Sequence, residues 1–405
     1  MTEQTTARSS GAWSSFKRWF DGLTMVLLNL ERRWFDPYFR DAFDRVLQRP
    51  LVAAAQWLIN FRRPDDGLVL AEEKQLEGEE ELIAVIAANL AGFLKLTYPH
   101  GNAERAGNTK TYGIVRAEFT VRDDLPENLR RGVFAEPRTF PAWVRFAGPG
   151  PGTPPDVKDN GILSLGIKLM GVEGPKLIDD ERSTQDFTGL TSPTFTTPNV
   201  RENVKLQRTL REGWPSLYYL NPFDSHLRDA LMQSLFARVR ANPLEARYWS
   251  CASYLLGEGQ AMHYTMTPRS PVRSKVPRPP SANFLRHAMV ATRAEKDVEF
   301  DFSIQVQTDP YRMPIENDGV EWPERLSPFV PVATLRIPRQ RFDSPAQLAF
   351  AHNISVNPWH AIPEHRPLGN QNRARKVVYV ELSKLRQEMN HVARIEPTGD
   401  EQFDD

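Results

Sequence analysis

Cysteine is almost absent from this chain. Cys251 stands alone among 405 residues, which excludes an intrachain disulfide and a cysteine-based metal site. A single cysteine is most simply a small core residue. An excess of either charge is missing too: Lys+Arg and Asp+Glu number 51 each. That balance gives no support for a nucleic-acid partner. No apolar run approaches the roughly 20 residues needed to cross a bilayer. The longest candidates are Thr24–Leu30 and Leu51–Phe61. The opening Met-Thr-Glu-Gln lacks a basic segment followed by an apolar one, so the expectation is a cytoplasmic protein without a secretory signal. Residues 98–392 contain no repeat and no low-complexity tract.

Hydrophobic residues make up 40% of the chain, enough for a sizeable core. The 33 prolines call for many turns and extended connections. Residues 1–12 are polar. Residues 13–62 read as two or three short helices broken at Pro37 and Pro50, and Arg62–Gly78 as a polar linker. Glu79–Leu96 carries apolar residues at Leu82, Ile83, Val85, Ile86, Leu90, Phe93 and Leu94, a helical spacing. The period then changes to two. Tyr112–Arg122, Pro141–Phe146, Gly161–Val172, Val298–Gln307 and Val330–Ile337 read as strands. Arg228–Ala241 and Asn372–His391 read as helices. Strands dominate the middle with few helical crossovers, which favours an antiparallel sheet or closed barrel with added helices. The expected division is an N-terminal helical arm at 1–75, one large domain at 76–392 and an acidic tail at 393–405.

Within the arm, Trp13, Phe16, Lys17, Arg18, Trp19 and Phe20, followed by Arg32, Arg33, Trp34 and Phe35, mix aromatics with basic residues. Such a segment can lie on a membrane surface. Asp21, Glu31, Asp36, Asp41 and Asp44 interrupt the basic face, so packing on the body or on another subunit is the plainer reading.

Arg375 and Tyr379 are four apart in a predicted helix, so both project from one face. A phenol near a guanidinium is biased toward its anion. A phenolate is a hard ligand for ferric iron, and tyrosine is one of the known axial ligands of haem.

Three stretches carry a specific likeness: Arg105-Ala-Gly-Asn108-Thr109-Lys110-Thr-Tyr-Gly113, Phe140-Pro-Ala-Trp-Val-Arg145-Phe-Ala147, and the run from Ser355 through Asn357-Pro-Trp359-His360 to Arg375 and Tyr379. Gly166-Ile-Lys168 and Gln185-Asp186-Phe187 add weaker support. Together they resemble the catalase superfamily, closest to its small catalase-related haem proteins, the allene oxide synthase-like group included. The likeness spans roughly residues 98–392. It implies an α+β fold, a catalase-like antiparallel β-barrel with flanking helices, here with an N-terminal helical extension. It implies ferric haem b as cofactor. Tyr379 matches the proximal iron ligand, the only metal ligand expected. Arg375 matches the arginine that holds that ligand as phenolate. Arg105 and Arg145 match arginines that pair with haem propionates, which a planar guanidinium binds bidentately.

The distal side departs from the family. Its catalytic histidine falls at Asn108, the serine that orients that histidine at Ala147, and the distal asparagine near Thr191. Gly107 stands where a branched apolar residue usually sits, which implies a roomier pocket. Peroxide heterolysis needs a group that takes a proton from one oxygen and returns it to the other; an amide only donates and accepts hydrogen bonds. The resemblance therefore implies an oxidoreductase or isomerase acting on organic or fatty-acid hydroperoxides, weak on hydrogen peroxide, with Asn108 and Thr109 on the distal side. The alternative is a non-enzymatic haem-binding or haem-free scaffold or sensor on the same fold, docked to a membrane or partner through residues 13–62. The oligomeric state stays open.

Other chemistry is poorly supported. His360 and His365 have a poor zinc spacing and read as structural. His100 reads as an exposed turn residue. Gly148-Pro-Gly150-Pro-Gly152 lacks the Lys and Ser/Thr of a phosphate loop.

Overall fold

The computed structural model describes residues 19, 22, 26, 27, 30–36, 38–148, 150, 152–159, 161–212, 215–221, 223–270 and 273–403. Trp13, Phe16, Lys17, Arg18 and Phe20 of the aromatic-basic arm lie outside them.

Among the described residues nine strands form one sheet: β1 Thr111–Val121, β2 Thr139–Ala147, β3 Ser164–Leu169, β4 Gln185–Leu190, β5 Tyr248–Trp249, β6 Tyr254–Leu255, β7 Ala261–Pro268, β8 Val298–Val306 and β9 Val330–Ile337. Every pairing is antiparallel. β5 pairs with β7 as well as β4, and β1 pairs with β9, so eight strands close into a barrel with β6 attached beside β7. Closure leaves no exposed sheet edge on those strands.

The period-two pattern decides which side chains fill the barrel. Phe119, Val144, Ile167, Phe187, Tyr264 and Phe302 are all fully buried in one core cluster. Phe302 lies 5.0 Å from Phe187 and 5.2 Å from both Phe119 and Tyr264, centroid to centroid. Each fully buried side chain of this size contributes about 1.5–3 kcal/mol relative to exposure. The alternate residues of β2, β3 and β4 face outward: Trp143, Arg145 and Ala147; Ser164, Gly166 and Lys168; Asp186, Thr188 and Leu190.

Helices cover that outer face. In chain order they are α1 Arg49–Arg62, α2 Glu79–Thr97, α3 Val200–Arg211, α4 Pro215–Leu220, α5 Leu227–Phe236, α6 Phe284–Glu295, α7 Pro345–Asn353 and α8 Asn370–Met389. Ile83, Ile86 and Ala87 of α2 pack on Val200 of α3 and on Ala374 and Val378 of α8. Val52, Ala55 and Ile59 of α1 pack on Met232, Leu235 and Phe236 of α5.

The expected break at Pro50 does not occur. A wide π-helical turn, Asp44–Gln48, runs directly into α1, with Pro50 in its first turn. Proline lacks the N–H that would bond to the turn before it, and its ring is tolerated where the preceding turn is widened. The helix expected over Arg228–Ala241 ends at Phe236. The acidic tail is packed: Glu401 accepts from Trp143 Nε1 at 2.7 Å, and the Phe403 ring lies 5.3 Å from that of Phe350.

Candidate functional site

A cavity of about 380 Å³ lies between the outer face of β2–β4 and the bundle of α2, α3 and α8. Strand register builds its floor. Arg145 pairs with Gly166, and Gly166 with Thr188, so these three form one rung. Ala147, Ser164 and Leu190 form the next. The absence of a side chain at Gly166 lets Val356 settle on the sheet: a Cβ there would stand 2.9 Å from Val356 Cγ1. The wall comes from α8. Gln371, Arg375, Tyr379, Leu382, Ser383 and Arg386 line the cavity at helical spacing along one stripe. Ile86, Leu90 and Leu94 of α2 add an apolar side.

The expected residues Arg105, Asn108, Arg145, Arg375 and Tyr379 all line this one cavity. Thr109 does not. Its side chain is buried, and its hydroxyl donates to the Arg105 carbonyl at 2.8 Å. Asn108 has φ +51°, a left-handed conformation that asparagine tolerates better than most residues. Its carbonyl accepts from Arg145 Nη2 at 2.9 Å. Thr191 is fully buried away from the cavity, with its hydroxyl accepting from Leu163 N at 2.9 Å. The neighbouring Leu190 lines the wall instead, so this position offers no amide. His100 stacks on His391, centroids 6.2 Å apart, and does not reach the site.

Three guanidinium groups meet at one end. Arg145 donates from Nε to Ala351 O at 3.1 Å and from Nη2 to Thr111 Oγ1 at 2.6 Å. Arg105 donates to Ala351 O at 3.4 Å and to Ile354 O. Arg386 donates to His352 O and to Asn353 O. Among the described residues no carboxylate forms an ion pair with any of the three. Glu104, the nearest compensating acid, is held by His352 Nε2 at 2.9 Å. Burial and then Arg386 pull the Arg145 pKa down to about 9, with Glu104 opposing. Burial pulls Arg386 down to about 10. Arg105 is lowered by burial and by both other arginines. Uncompensated cations packed this closely favour an anionic ligand.

Arg375 stands apart from that group. It donates to Asn372 Oδ1 at 2.9 Å and lies 5.4 Å from the Phe195 ring centroid. Burial would lower its pKa, but Tyr379, Tyr254, Asp318 and Cys251 outweigh burial and hold it above the ordinary value. Cys251 is a core thiol, as expected. Burial pushes its pKa up to about 12, and Sγ donates to Ser192 O at 2.7 Å.

Sequence reasoning missed two parts of the site. Arg386 follows Tyr379 by seven residues on the same helix face, and that spacing was the available signal. The other is a chain of amides: Gln371 Nε2 donates to Thr197 O at 3.1 Å, Asn203 Nδ2 to Gln371 Oε1 at 3.3 Å, and Gln207 Nε2 to Asn203 Oδ1 at 2.9 Å. The described residues of the lining include no histidine and no carboxylate.

Solved structures share this architecture. A bacterial catalase superposes with a TM-score of 0.55 at 15% identity, over 82% of this chain and 67% of that one. A fungal catalase gives 0.57 at 13%, over 80% and 66%. Catalase A from Saccharomyces cerevisiae gives 0.56 at 13%, over 80% and 68%. The fold is catalase-like. The chain spans about two thirds of the length of each of these structures. Neither a family model nor a curated protein sequence matches it.

The donor set fits the cofactor that the resemblance implies. Tyr379 lines the cavity and carries a phenol oxygen, with Arg375 one turn before it, and Arg105, Arg145 and Arg386 form a cationic end without acidic partners among the described residues. The chemistry suits an amphipathic dicarboxylate with a ferric centre.

Proposed function

We propose that this chain is a catalase-related haem-binding protein that acts on organic or fatty-acid hydroperoxides, with weak activity on hydrogen peroxide. The observation that carries the reading is the cavity itself: one tyrosine, four arginines and an apolar helical wall, with no acidic group among its described lining residues. Tyr379 would ligate the iron, Arg375 would stabilise the phenolate, and Arg105, Arg145 and Arg386 would hold the propionates.

Ferric haem b supplies an iron centre able to cleave a peroxide O–O bond. The chain's own contribution is binding and orientation. Asn108 offers an amide that donates to or accepts from a peroxide oxygen, and it cannot shuttle a proton as an imidazole does. Leu190 and Gly107 leave this side apolar and open, which suits a bulkier alkyl hydroperoxide. Peripheral contact of residues 13–62 with a membrane fits a lipid class of substrate in a cytoplasmic protein.

The absence of a proton-transfer side chain from the described lining residues favours a second reading, a haem-binding sensor or scaffold without turnover. The test is a visible absorption spectrum of haem-supplied protein beside Tyr379→Phe, followed by a hydroperoxide consumption assay. A ferric-phenolate spectrum that is lost or shifted in the variant supports cofactor and ligand. A colourless wild type under haem supply removes both haem readings. A coloured protein that consumes no hydroperoxide leaves the sensor.

A further inference from the structure

Helix α1 is apolar on both sides. Its inner face packs Val52, Ala55 and Ile59 against α5. Every fully exposed position from Pro50 to Phe61 is also apolar, Leu51, Trp57, Leu58 and Phe61 being the large ones. Trp57 is 63% exposed and Phe61 75%. Their rings stack with centroids 5.6 Å apart. A surface helix that faced only water would carry charged or polar side chains here. Leu227 and Leu231 of the adjoining α5 are exposed as well, so the apolar surface extends beyond one helix.

Side-chain chemistry and charge select the occupant. The 14-residue helix is about 21 Å long at 1.5 Å per residue. Tyr38, Phe39, Val46 and Leu47, earlier in the chain, are exposed as well, so aromatic and aliphatic side chains interleave with arginines as they do on interfacial segments. Residues 45–63 hold Arg45, Arg49, Arg62 and Arg63 and no acidic residue, in a chain whose net charge is zero. Arginines therefore bracket the exposed apolar helix at both ends. No helix among the described residues is long and apolar enough to cross a membrane. A short helix with exposed aromatics, flanked by arginines, suits the interface of an anionic bilayer, lying in its plane.

We propose that α1 is a lipid-docking face, held in the plane of an anionic bilayer with Trp57 and Phe61 at the headgroup–acyl boundary. This does not depend on haem or on turnover. It is read from vesicle partition alone, so it can fail while the cofactor reading stands, and the reverse.

The experiment is flotation of the full chain with vesicles of phosphatidylcholine plus phosphatidylserine, beside vesicles of phosphatidylcholine alone. The variants are Trp57→Ser/Phe61→Ser, which adds no charge, and Leu96→Glu at an exposed apolar site on α2. The expected result is flotation of wild type with the anionic vesicles, weaker with the neutral ones and declining with salt. Partition falls at least about tenfold in the double variant and is kept in Leu96→Glu. Both sites are at the surface, so unchanged circular dichroism melts check that the fold is intact. Wild type that floats with neither vesicle, or a double variant that floats like wild type, overturns the proposal. Sedimentation velocity without lipid covers the remaining occupant: self-association of wild type that the double variant abolishes, with no flotation, assigns the face to a second copy.

Discussion

Arg105 and Arg145 converge on one acceptor: the Ala351 carbonyl takes a hydrogen bond from Arg105 Nη1 at 3.4 Å and from Arg145 Nε at 3.1 Å. Two like charges share one backbone oxygen, and Arg386 adds a third charge to the same cavity end. A backbone carbonyl satisfies a donor without neutralising it. Cationic repulsion is therefore built into the protein, and an anionic ligand would relieve it.

Haem titration should expose this. Arg145→Gln and Arg386→Gln each remove one charge-assisted contact of about 1.5–3 kcal/mol, so each should weaken haem affinity about ten- to a hundredfold. Raising the ionic strength should weaken wild-type binding more than that of either variant. Unchanged affinity in both variants would place the carboxylates elsewhere.

The proposed role of Asn108 can be tested by supplying a base. Asn108 lines the cavity, and Ala147 lies on the same outward face of β2 as Arg145, two residues on. Asn108→His with Ala147→Ser should raise hydrogen peroxide turnover by about 10²–10⁴-fold, the usual value of a positioned acid–base group. Oxygen evolution by the haem-loaded double variant is the measurement. Normal haem content without any gain would show that Asn108 does not occupy the base position.

Outside the barrel, Lys168 is fully buried between Asp186, at 2.8 Å, and Glu181, with His360 Nδ1 3.2 Å away. Burial opposes its charge, but Asp186 and Glu181 outweigh burial and raise its pKa. Lys168→Met would leave Asp186 with His360 and Glu181 with His360 and Arg394 as their remaining cationic partners, and loss of the central cation should cost about 3–5 kcal/mol. Chemical denaturation should show a correspondingly lower midpoint. A loss below about 1 kcal/mol would mean that the carboxylates are neutralised by His360 or by protons.

Two buried histidines should make the fold sensitive to acid. Burial lowers the pKa of His365 to about 4 and that of His263 to about 3. Both are neutral in the fold, and both protonate near 6.5 when unfolded. The unfolded chain therefore binds more protons below pH 6.5. Stability is complete above that value and falls as pH drops toward 4, by about 1.4 kcal/mol per pH unit for each histidine. His360 and His226, whose pKa values are raised, act in the opposite sense: they add stability as pH falls through about 6.5 and add no slope well below it. Denaturation at about pH 6 and pH 5, below the range where His360 and His226 contribute, should show the decline. His365→Gln, which keeps an acceptor for the Val133 N–H, should flatten it; an unaltered slope would assign the acid sensitivity to other groups.

Much of this protein was legible in its sequence wherever one face of an element differed chemically from the other. β8 alternates Val298, Phe300, Phe302 and Ile304 with polar residues, and α8 repeats at helical spacing; both read correctly to within two residues. β7 was missed because six of its eight residues are buried on both faces, which erases the period-two contrast. β4 was missed for a related reason: its outward Asp186 is a buried partner of Lys168, not a solvated residue. The resemblance to the catalase superfamily named Arg105, Asn108, Arg145, Arg375 and Tyr379, and only Arg375 and Tyr379 were also linked by their helical spacing.

Tertiary structure decided which of these groups meet. Strand register placed Arg145 beside Gly166 and Thr188, and closure of β9 onto β1 held that rung against α8, more than two hundred residues later in the chain. The left-handed backbone at Asn108 kept Asn108 in the cavity wall while the Thr109 hydroxyl turned to the Arg105 carbonyl. Arg386 joined the site because a straight helix carries one face past the same cavity for several turns. Packing left α1 with an apolar outer face, which periodicity alone could not distinguish from a buried one. Composition and local period fix what each segment is able to do. Long-range contacts choose which of those capacities are brought within bonding distance.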